Sequence, residues 1–392
     1  MYISRQAHSS FQHLFSKFPI LAVTGPRQSG KSTLVQRAFP EKPYVSLEAP
    51  DIREFALDDP RGFLAKYPDG AILDEVQRCP DLFSYLQEIV DKDGRMSLFV
   101  LTGSQQFGLG SGITQSLAGR VAMTVLLPFE TQEKRDSSLI NSGLDEELLL
   151  GGYPPIHDRG LVPGEWFPSY IETYLERDVR QMLKVKDLRT FQRFLKLCAG
   201  RVGQLLNFSA LSAECGVSYN TIKEWISVLE ASYLIYLLPP YFRNLKKRLI
   251  KTPKLYFYDT GLAAWLMGIG DVTTLSVHPM RGSLFECWAI NELRKREYHK
   301  ACRPEFYFYR DRTGNEVDLV FEEGAGLHML EIKSGSTHSR DQRKGLNYLA
   351  TLIGENSATR TLLYGGDENQ QVGNIDVISW KSWPGAKFGA NH

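Results

Sequence analysis

Five short apolar runs punctuate the first 130 positions: ILAVT (20–24), YVSL (44–47), AIL (71–73), LFVLT (98–102) and VAMTVLL (121–127). Runs of this length with little polar alternation fit strands buried on both faces. Between them lie segments such as PDLFSYLQEIVDK (80–92), whose apolar residues recur three and four apart, the spacing of a helix with one buried side. The alternation predicts an α/β unit over residues 1–130, with a mostly parallel sheet covered by helices.

The pattern then changes. WFPSYIETYLERDVRQML (166–183) and LRTFQRFLKLCAG (188–200) read as amphipathic helices of a helical lid or linker over 131–200. GGYPPIHDRGLVPGEW (151–166) reads as a turn-rich connection because of its glycines and prolines. In SALSAECGVSYNTIKEWISVLEASYLI (209–235) a helix ends at Cys215–Gly216, and a second places Ile222, Ile226 and Leu229 inward. That is a helix-turn-helix pattern, and YFRNLKKRLIKTPKLYFYD (241–259) reads as its β-hairpin wing, giving a unit over 201–272. The remainder, 273–392, reads as a separate α/β domain. Its order is helix (283–298), three strands (305–311, 316–323, 326–335), helix (339–351) and strand (359–366). No repeat at a solenoid period is visible.

Composition narrows the class without naming a function. A chain of 392 residues suggests two or three domains at roughly 150 residues each. A hydrophobic fraction of 43% and a charged fraction of 23% exclude fibrous or broadly disordered chains. The net charge of +1 means that any nucleic-acid contact must come from local patches. MYISRQAHSSFQHLF makes a poor signal peptide, and YLIYLLPPYF (233–242) is too short to span a bilayer, so no membrane partner and a cytoplasmic location are expected. The five cysteines form no C-x-x-C pair and fit buried, reduced thiols.

The strongest chemical signal is GPRQSGKS (25–32), with an apolar strand before it and a helix after. Gly25 and Gly30 let the backbone curl so that the amides of Gly25, Pro26, Arg27, Gln28, Ser29, Gly30, Lys31, Ser32 and Thr33, Pro26 excepted as a donor, surround phosphate oxygens. Lys31 would pair with the β- and γ-phosphates, and the Ser32 hydroxyl would ligate Mg²⁺. AILDEVQ (71–77) supplies Asp74 as a carboxylate in the outer shell of Mg²⁺, and Glu75 is placed to polarise an attacking water. LTGSQQF (101–107) offers Thr102 or Ser104 to the γ-phosphate or the water, with a capped turn as the alternative. In SLAGRV (116–121), Arg120 can serve as a finger to a neighbouring subunit's phosphate, act within its own subunit, or make a structural ion pair.

GPRQSGKSTL, ILDEVQRCPDLFSYLQ, LTGSQQF, LAGRV and YLERDVRQ together resemble a widespread bacterial and archaeal family of AAA+-type ATPases, in which an ATPase domain precedes a C-terminal region of unknown function. The resemblance covers nearly the whole chain. It implies a P-loop ATPase with an extra strand between the two nucleotide motifs.

Two further constellations point toward DNA. Ser218, Tyr219, Asn220 and Lys223 occupy the position of a recognition helix, although such modules also serve in packing alone. Arg243, Lys246, Lys247, Arg248, Lys251 and Lys254 follow without an intervening acid, flanked by Tyr241, Phe242, Tyr256 and Tyr258. Such a cluster fits phosphate-backbone contact or a solvated hairpin.

The second constellation is LHMLEIKSG (327–335). A hairpin turning at Gly324–Ala325 sets Asp318 opposite Glu331, with Lys333 on the same face. Facing acids call for a cation between them, and Lys333 could stabilise charge on a phosphoryl group. The D…E-x-K arrangement resembles the restriction-endonuclease-like fold. That resemblance implies a divalent metal held by Asp318, Glu331 and Glu286, with Glu331 and Lys333 catalytic, and Gln342, Arg343 and Lys344 as DNA-backbone contacts. A decayed nuclease that only binds DNA is the alternative. The combined expectation is an Mg²⁺-dependent ATPase that acts on DNA, with a second metal in the C-terminal site and a homo-oligomer, a hexameric ring among its forms. The rival expectation is a nucleotide-dependent switch that recruits a protein or a DNA site with little turnover.

Overall fold

In the structure, a computed structural model describing residues 2–104, 116–139, 143–174, 179, 187–241, 250–323, 326–354 and 358–386, the predicted α/β unit is present. It runs α1 (Ala7–Lys17), β1 (Ile20–Thr24), α2 (Lys31–Ala38), β2 (Tyr44–Ser46), α3 (Pro50–Asp58), α4 (Pro60–Ala65), β3 (Ile72–Asp74), α5 (Leu82–Asp93), β4 (Phe99–Gly103) and β5 (Val121–Val125). All five strands are parallel, in the order β2-β3-β4-β1-β5. The unbroken apolar runs follow from burial on both faces. Ile20 and Ala22 pack with Leu73, Phe83 and Leu101 on one side, while Leu21 and Val23 pack with Phe11, Leu34 and Val100 on the other. Strand β4 separates β1 from β3, so the turn after β1 and the carboxylate ending β3 flank the end of β4.

The middle of the chain comprises α6 (Thr131–Asp136), α7 (Leu144–Leu150), α8 (Pro154–Asp158), α9 (Pro163–Tyr174), α10 (Leu188–Ala199), α11 (Phe208–Cys215), α12 (Tyr219–Ala231), β6 (Ile235–Leu238), β7 (Lys254–Phe257), α13 (Thr260–Leu266) and α14 (Val272–Val277). The stretch expected as a turn-rich connection contains α8, because Pro154 and Pro155 open a helix, where a missing N–H is harmless. Of the hairpin expected over 241–259, β7 is described, and it pairs antiparallel with the earlier β6, from Ile235 opposite Phe257 to Leu238 opposite Lys254. After β6 the chain crosses to the C-terminal sheet, where Phe308 N donates to Pro239 O at 3.1 Å and Tyr241 N donates to Phe308 O at 2.7 Å. Arg243, Lys246, Lys247, Arg248 and Phe242 lie outside the described residues, as does most of YLERDVRQ.

The C-terminal part begins with α15 (Arg281–His299) and continues β8 (Phe306–Arg310), β9 (Glu316–Glu323), β10 (Gly326–Lys333), α16 (Lys344–Ile353), β11 (Ala358–Tyr364), β12 (Gln370–Val372) and β13 (Ile375–Ser379). The predicted order of helix, three strands, helix and strand is present, and β12 and β13 extend the sheet beyond it to β12-β13-β11-β10-β9-β8. Strands β9 and β10 pair antiparallel, with Gly326 opposite Glu323 and Leu330 opposite Leu319, the register the hairpin reading requires. One apolar core runs from the middle helices into this sheet, joining Phe167, Trp225 and Leu255 to Phe285, Leu319 and Leu330. Among the described residues no helix is long and apolar enough to cross a membrane. Cys79, Cys198, Cys215 and Cys287 are buried free thiols, and Cys302 is exposed.

Candidate functional site

The turn after β1 is a backbone cradle that glycine makes possible. Gly25 has φ +143°, and a Cβ there would lie 2.2 Å from Leu126 O; Gly30 has φ +90°. Lys31 opens α2 and folds its side chain over the turn, where Nζ donates to Gly25 O at 2.9 Å and Pro26 O at 2.7 Å. The Ser29 hydroxyl is buried inside the turn with no partner for its oxygen. Thr33, one step along α2, is exposed.

Three hydroxyls converge on Asp74. Ser32 Oγ lies 3.0 and 3.2 Å from its two carboxylate oxygens, Thr102 donates to Oδ1, and Tyr44 donates to Oδ2 at 2.6 Å. The parallel register explains the meeting, because Ser46 pairs with Asp74 and places Tyr44 on the same face. Tyr44 had no role in the sequence reading: an aromatic on a short apolar run signals a strand, not a hydrogen bond across it. Glu75 follows in a left-handed conformation, φ +57°, and its Oε2 accepts from Ser104 Oγ at 3.2 Å and from Gln77 Nε2. The glycine cradle, the orphan Ser29 hydroxyl and the Ser32–Asp74 pair fit a polyphosphate with a hard cation, which takes oxygen donors.

Arg120 stands apart from this group. Its guanidinium pairs with Asp91 through Nε at 2.5 Å and Nη2 at 2.8 Å, and Nη1 donates to Ala118 O at 3.0 Å. Of the three roles open to it in the sequence, the structure shows the ion pair.

The C-terminal acids also come together. Lys333 Nζ lies 2.6 Å from Glu331 and 3.1 Å from Asp318, and Ile332 N donates to Asp318 Oδ2 at 2.8 Å. Lys254, expected on an exposed basic stripe, is buried here instead: its Nζ lies 3.0 Å from Glu286, 2.6 Å from Glu316 and 4.0 Å from Asp318. Tyr256 donates to Glu286, and Tyr241, Tyr256 and Tyr258 are buried, so these rings do not flank an open surface. Tyr256 and Tyr258 pack on Tyr236 of β6, and Tyr241 packs with Tyr309 and Val317 of the C-terminal sheet. The Lys333 ammonium lies within reach of both Asp318 and Glu331. Among the described residues no group of three or more His, Cys, Asp or Glu side chains is arranged to hold a metal ion.

The electrostatics follow this geometry. Burial, reinforced by the Asp318 charge, pushes Glu331 up to about 8 against the pull of Lys333. Burial also raises Glu286. For Asp318 burial works upward, but Lys333 and Lys254 outweigh it and hold the carboxyl below its usual value. On the remaining expected DNA contacts, Gln342 accepts from Ser339 N at 2.9 Å and Lys344 pairs with Asp341 at 2.8 Å, next to Arg343. On α12, Ser218, Tyr219, Asn220 and Lys223 are exposed, while Ile222, Trp225 and Ile226 face the core.

Comparison with known proteins adds family context. Residues 17–134 match an AAA domain, 141–273 a domain of unknown function (DUF8612) and 281–383 a domain of unknown function (DUF4143). The chain is 30% identical over 347 residues to the uncharacterized protein Rv2008c of Mycobacterium tuberculosis, covering 87% of this chain and 77% of that protein. The uncharacterized protein Mb2031c of Mycobacterium bovis matches with the same values. Among solved structures, the Walker-type ATPase PABY2304 of Pyrococcus abyssi is similar with a TM-score of 0.47 and 16% identity, covering 68% of this chain and 96% of that one.

Proposed function

This chain belongs to the protein family of these two mycobacterial relatives and carries an AAA domain at residues 17–134, and from that premise we propose an Mg²⁺-dependent ATPase that acts on DNA. The observation that carries the reading is the Ser32 hydroxyl at 3.0 and 3.2 Å from the Asp74 carboxylate, beside the Gly25–Gly30 cradle.

In this reading the amides of the cradle and Lys31 hold the β- and γ-phosphates. Mg²⁺, held by Ser32 and backed by Asp74, would withdraw charge from the phosphoryl oxygens. Glu75, braced by Ser104 and Gln77, orients a water at the γ-phosphorus and accepts its proton as the bond to ADP breaks. Arg120 acts on a neighbouring subunit only if its Asp91 pair opens, so mass in solution with nucleotide tests a ring. The exposed face of α12 supplies the DNA contact. Asp318, Glu331, Lys333 and Glu286 stand together in the C-terminal unit, and whether that unit cuts DNA or only binds it is decided by a cleavage assay.

Phosphate release measured with and without linear, branched and single-stranded DNA tests the proposal. Turnover stimulated by DNA, abolished in Lys31→Ala and Glu75→Gln, is the expected result. Turnover near zero under every condition, with nucleotide still bound, would leave the switch reading in its place. Incubation of DNA with Mg²⁺ or Mn²⁺ separates cutting from binding: cleavage by wild type that Asp318→Ala removes marks a nuclease, and identical behaviour of the two proteins leaves DNA binding alone.

A further inference from the structure

We propose that Tyr44 is a positioning residue for the Asp74 carboxylate, holding it in the orientation that receives the magnesium of an ATP complex. The inference rests on the ATPase reading of the same site.

A carboxylate offers about four lone-pair sites, two on each oxygen. Thr102 takes one on Oδ1, Tyr44 takes one on Oδ2 at 2.6 Å, and Ser32 reaches both oxygens at 3.0 and 3.2 Å. The three hydroxyls differ in what else the site asks of them. Ser32 stands at the start of α2 and must turn its oxygen toward the cation. Thr102 is wholly buried in β4 and is fixed by the sheet. Tyr44 approaches from the opposite side, off the edge strand β2, and clamps the oxygen that Thr102 does not touch.

The phenol is suited to the task. A phenol, with an ordinary pKa of about 10, is a neutral hydrogen-bond donor near neutral pH. A short bond from a neutral hydroxyl to a charged carboxylate is among the stronger hydrogen bonds in proteins. Without it, Oδ2 keeps only the longer Ser32 contact at 3.2 Å. The ring itself does little packing: Tyr44 is 40% exposed and lies outside the apolar clusters on the two faces of the sheet. A core role therefore does not explain a tyrosine at this place, and removing only its hydroxyl leaves no cavity.

The prediction is specific to the cation. Losing a hydrogen bond to a charged group corresponds to roughly a tenfold change in an equilibrium. The change should fall on Mg²⁺ dependence, because Tyr44 touches Asp74 and makes no bond to the cradle.

The test is a titration of full-length protein with a fluorescent N-methylanthraniloyl ATP analogue, across Mg²⁺ concentrations and in EDTA. In Tyr44→Phe, the Mg²⁺ concentration giving half of the metal-dependent gain in affinity should rise several-fold, approaching tenfold. Affinity in EDTA should stay within about twofold, and the melting temperature should fall by no more than a few degrees, since Asp74 keeps its Ser32 and Thr102 bonds. An unchanged Mg²⁺ midpoint in Tyr44→Phe, with wild type binding normally, overturns the role of Tyr44 and leaves the ATPase reading intact. A wild-type protein that binds no analogue, or binds it without regard to Mg²⁺, overturns the ATPase reading and this inference with it.

Discussion

Arg5 braces the nucleotide turn from behind, donating through Nη1 to Ser29 O at 2.8 Å, while Nη2 donates to Leu127 O at 2.6 Å and Nε meets Glu133 at 3.1 Å. Both charged side chains are buried, and the guanidinium lies 4.8 Å from the centre of the Phe129 ring. Burial pushes Glu133 up, but Arg5 and His299 outweigh it and hold the carboxyl charged. Arg5→Ala strands that carboxylate and frees the turn, so a loss of roughly 3–5 kcal/mol is expected in denaturant unfolding. Arg5→Lys should recover little, because an ammonium cannot span three acceptors in one plane. A wild-type unfolding midpoint in Arg5→Ala would contradict this reading.

Lys254 ties the middle of the chain to the C-terminal sheet by standing among Glu286, Glu316 and Asp318. Burial lowers the affinity of its ammonium for a proton, but these acids more than reverse that effect and keep it charged. Replacing it with Met fills a similar volume and leaves Glu286 without its ammonium, while Asp318 keeps Lys333 and Glu316 keeps Arg310. The expected loss is again on the order of 3–5 kcal/mol, from breaking a buried pair by removing one partner. Lys254→Met combined with Glu286→Gln should be more stable than Lys254→Met alone. Additive losses in the double variant would show that the two groups do not share an interaction.

Local chemistry was legible in the sequence wherever the partners sit on one motif or on two strands joined by a short turn. In GPRQSGKS, Gly25, Lys31 and Ser32 lie on one turn between β1 and α2, and the 316–333 hairpin brings Asp318 to Glu331 and Lys333. Partners remote in sequence left no such trace. Arg5 meets Glu133 across 128 positions and Lys254 meets Glu286 across 32, and nothing in either neighbourhood marks the residue as buried. Lys254 misled because a basic run looks solvated, yet β7 alternates into two packed faces and carries its lysine inward. The bounds of β6 are hidden in the sequence because YLIYLLPP reads as one apolar block. Only the tertiary pairing of β6 with β7 shows which part is strand.

His157 sets an acid limit on the region behind the cradle. Its Nε2 lies 2.9 Å from Gly151 O and its ring meets Phe129 edge-on, on the helix that also sets Pro154 beside Gly30. Burial, with help from Lys134, lowers its pKa from 6.5 to about 4. The folded state therefore keeps the ring neutral while the unfolded chain takes up a proton. The stability this contributes is complete above pH 6.5 and is lost as pH falls toward 4, by at most about 3 kcal/mol. His157→Gln should flatten the unfolding free energy across that window relative to wild type. An identical pH slope in the variant would assign the acid sensitivity elsewhere.

Lys223 offers the cleanest test of the DNA contact, because its side chain is exposed on α12 and only its backbone carbonyl holds Ser227, at 3.1 Å. The same face carries Tyr219, half exposed, and Asn220, while Ser218 is committed to capping the helix through Thr221 N at 3.1 Å. If Lys223 meets a phosphate, Lys223→Ala should weaken binding by a similar factor on every sequence. The slope of log affinity against log salt should fall in magnitude by about one, the loss of a single released counterion. A base-reading role predicts something different: preference between sequences would relax and the slope would barely change. Fluorescence anisotropy with two unrelated duplexes at several salt concentrations separates these outcomes. An unchanged affinity and an unchanged slope would remove this face of α12 from the DNA contact altogether.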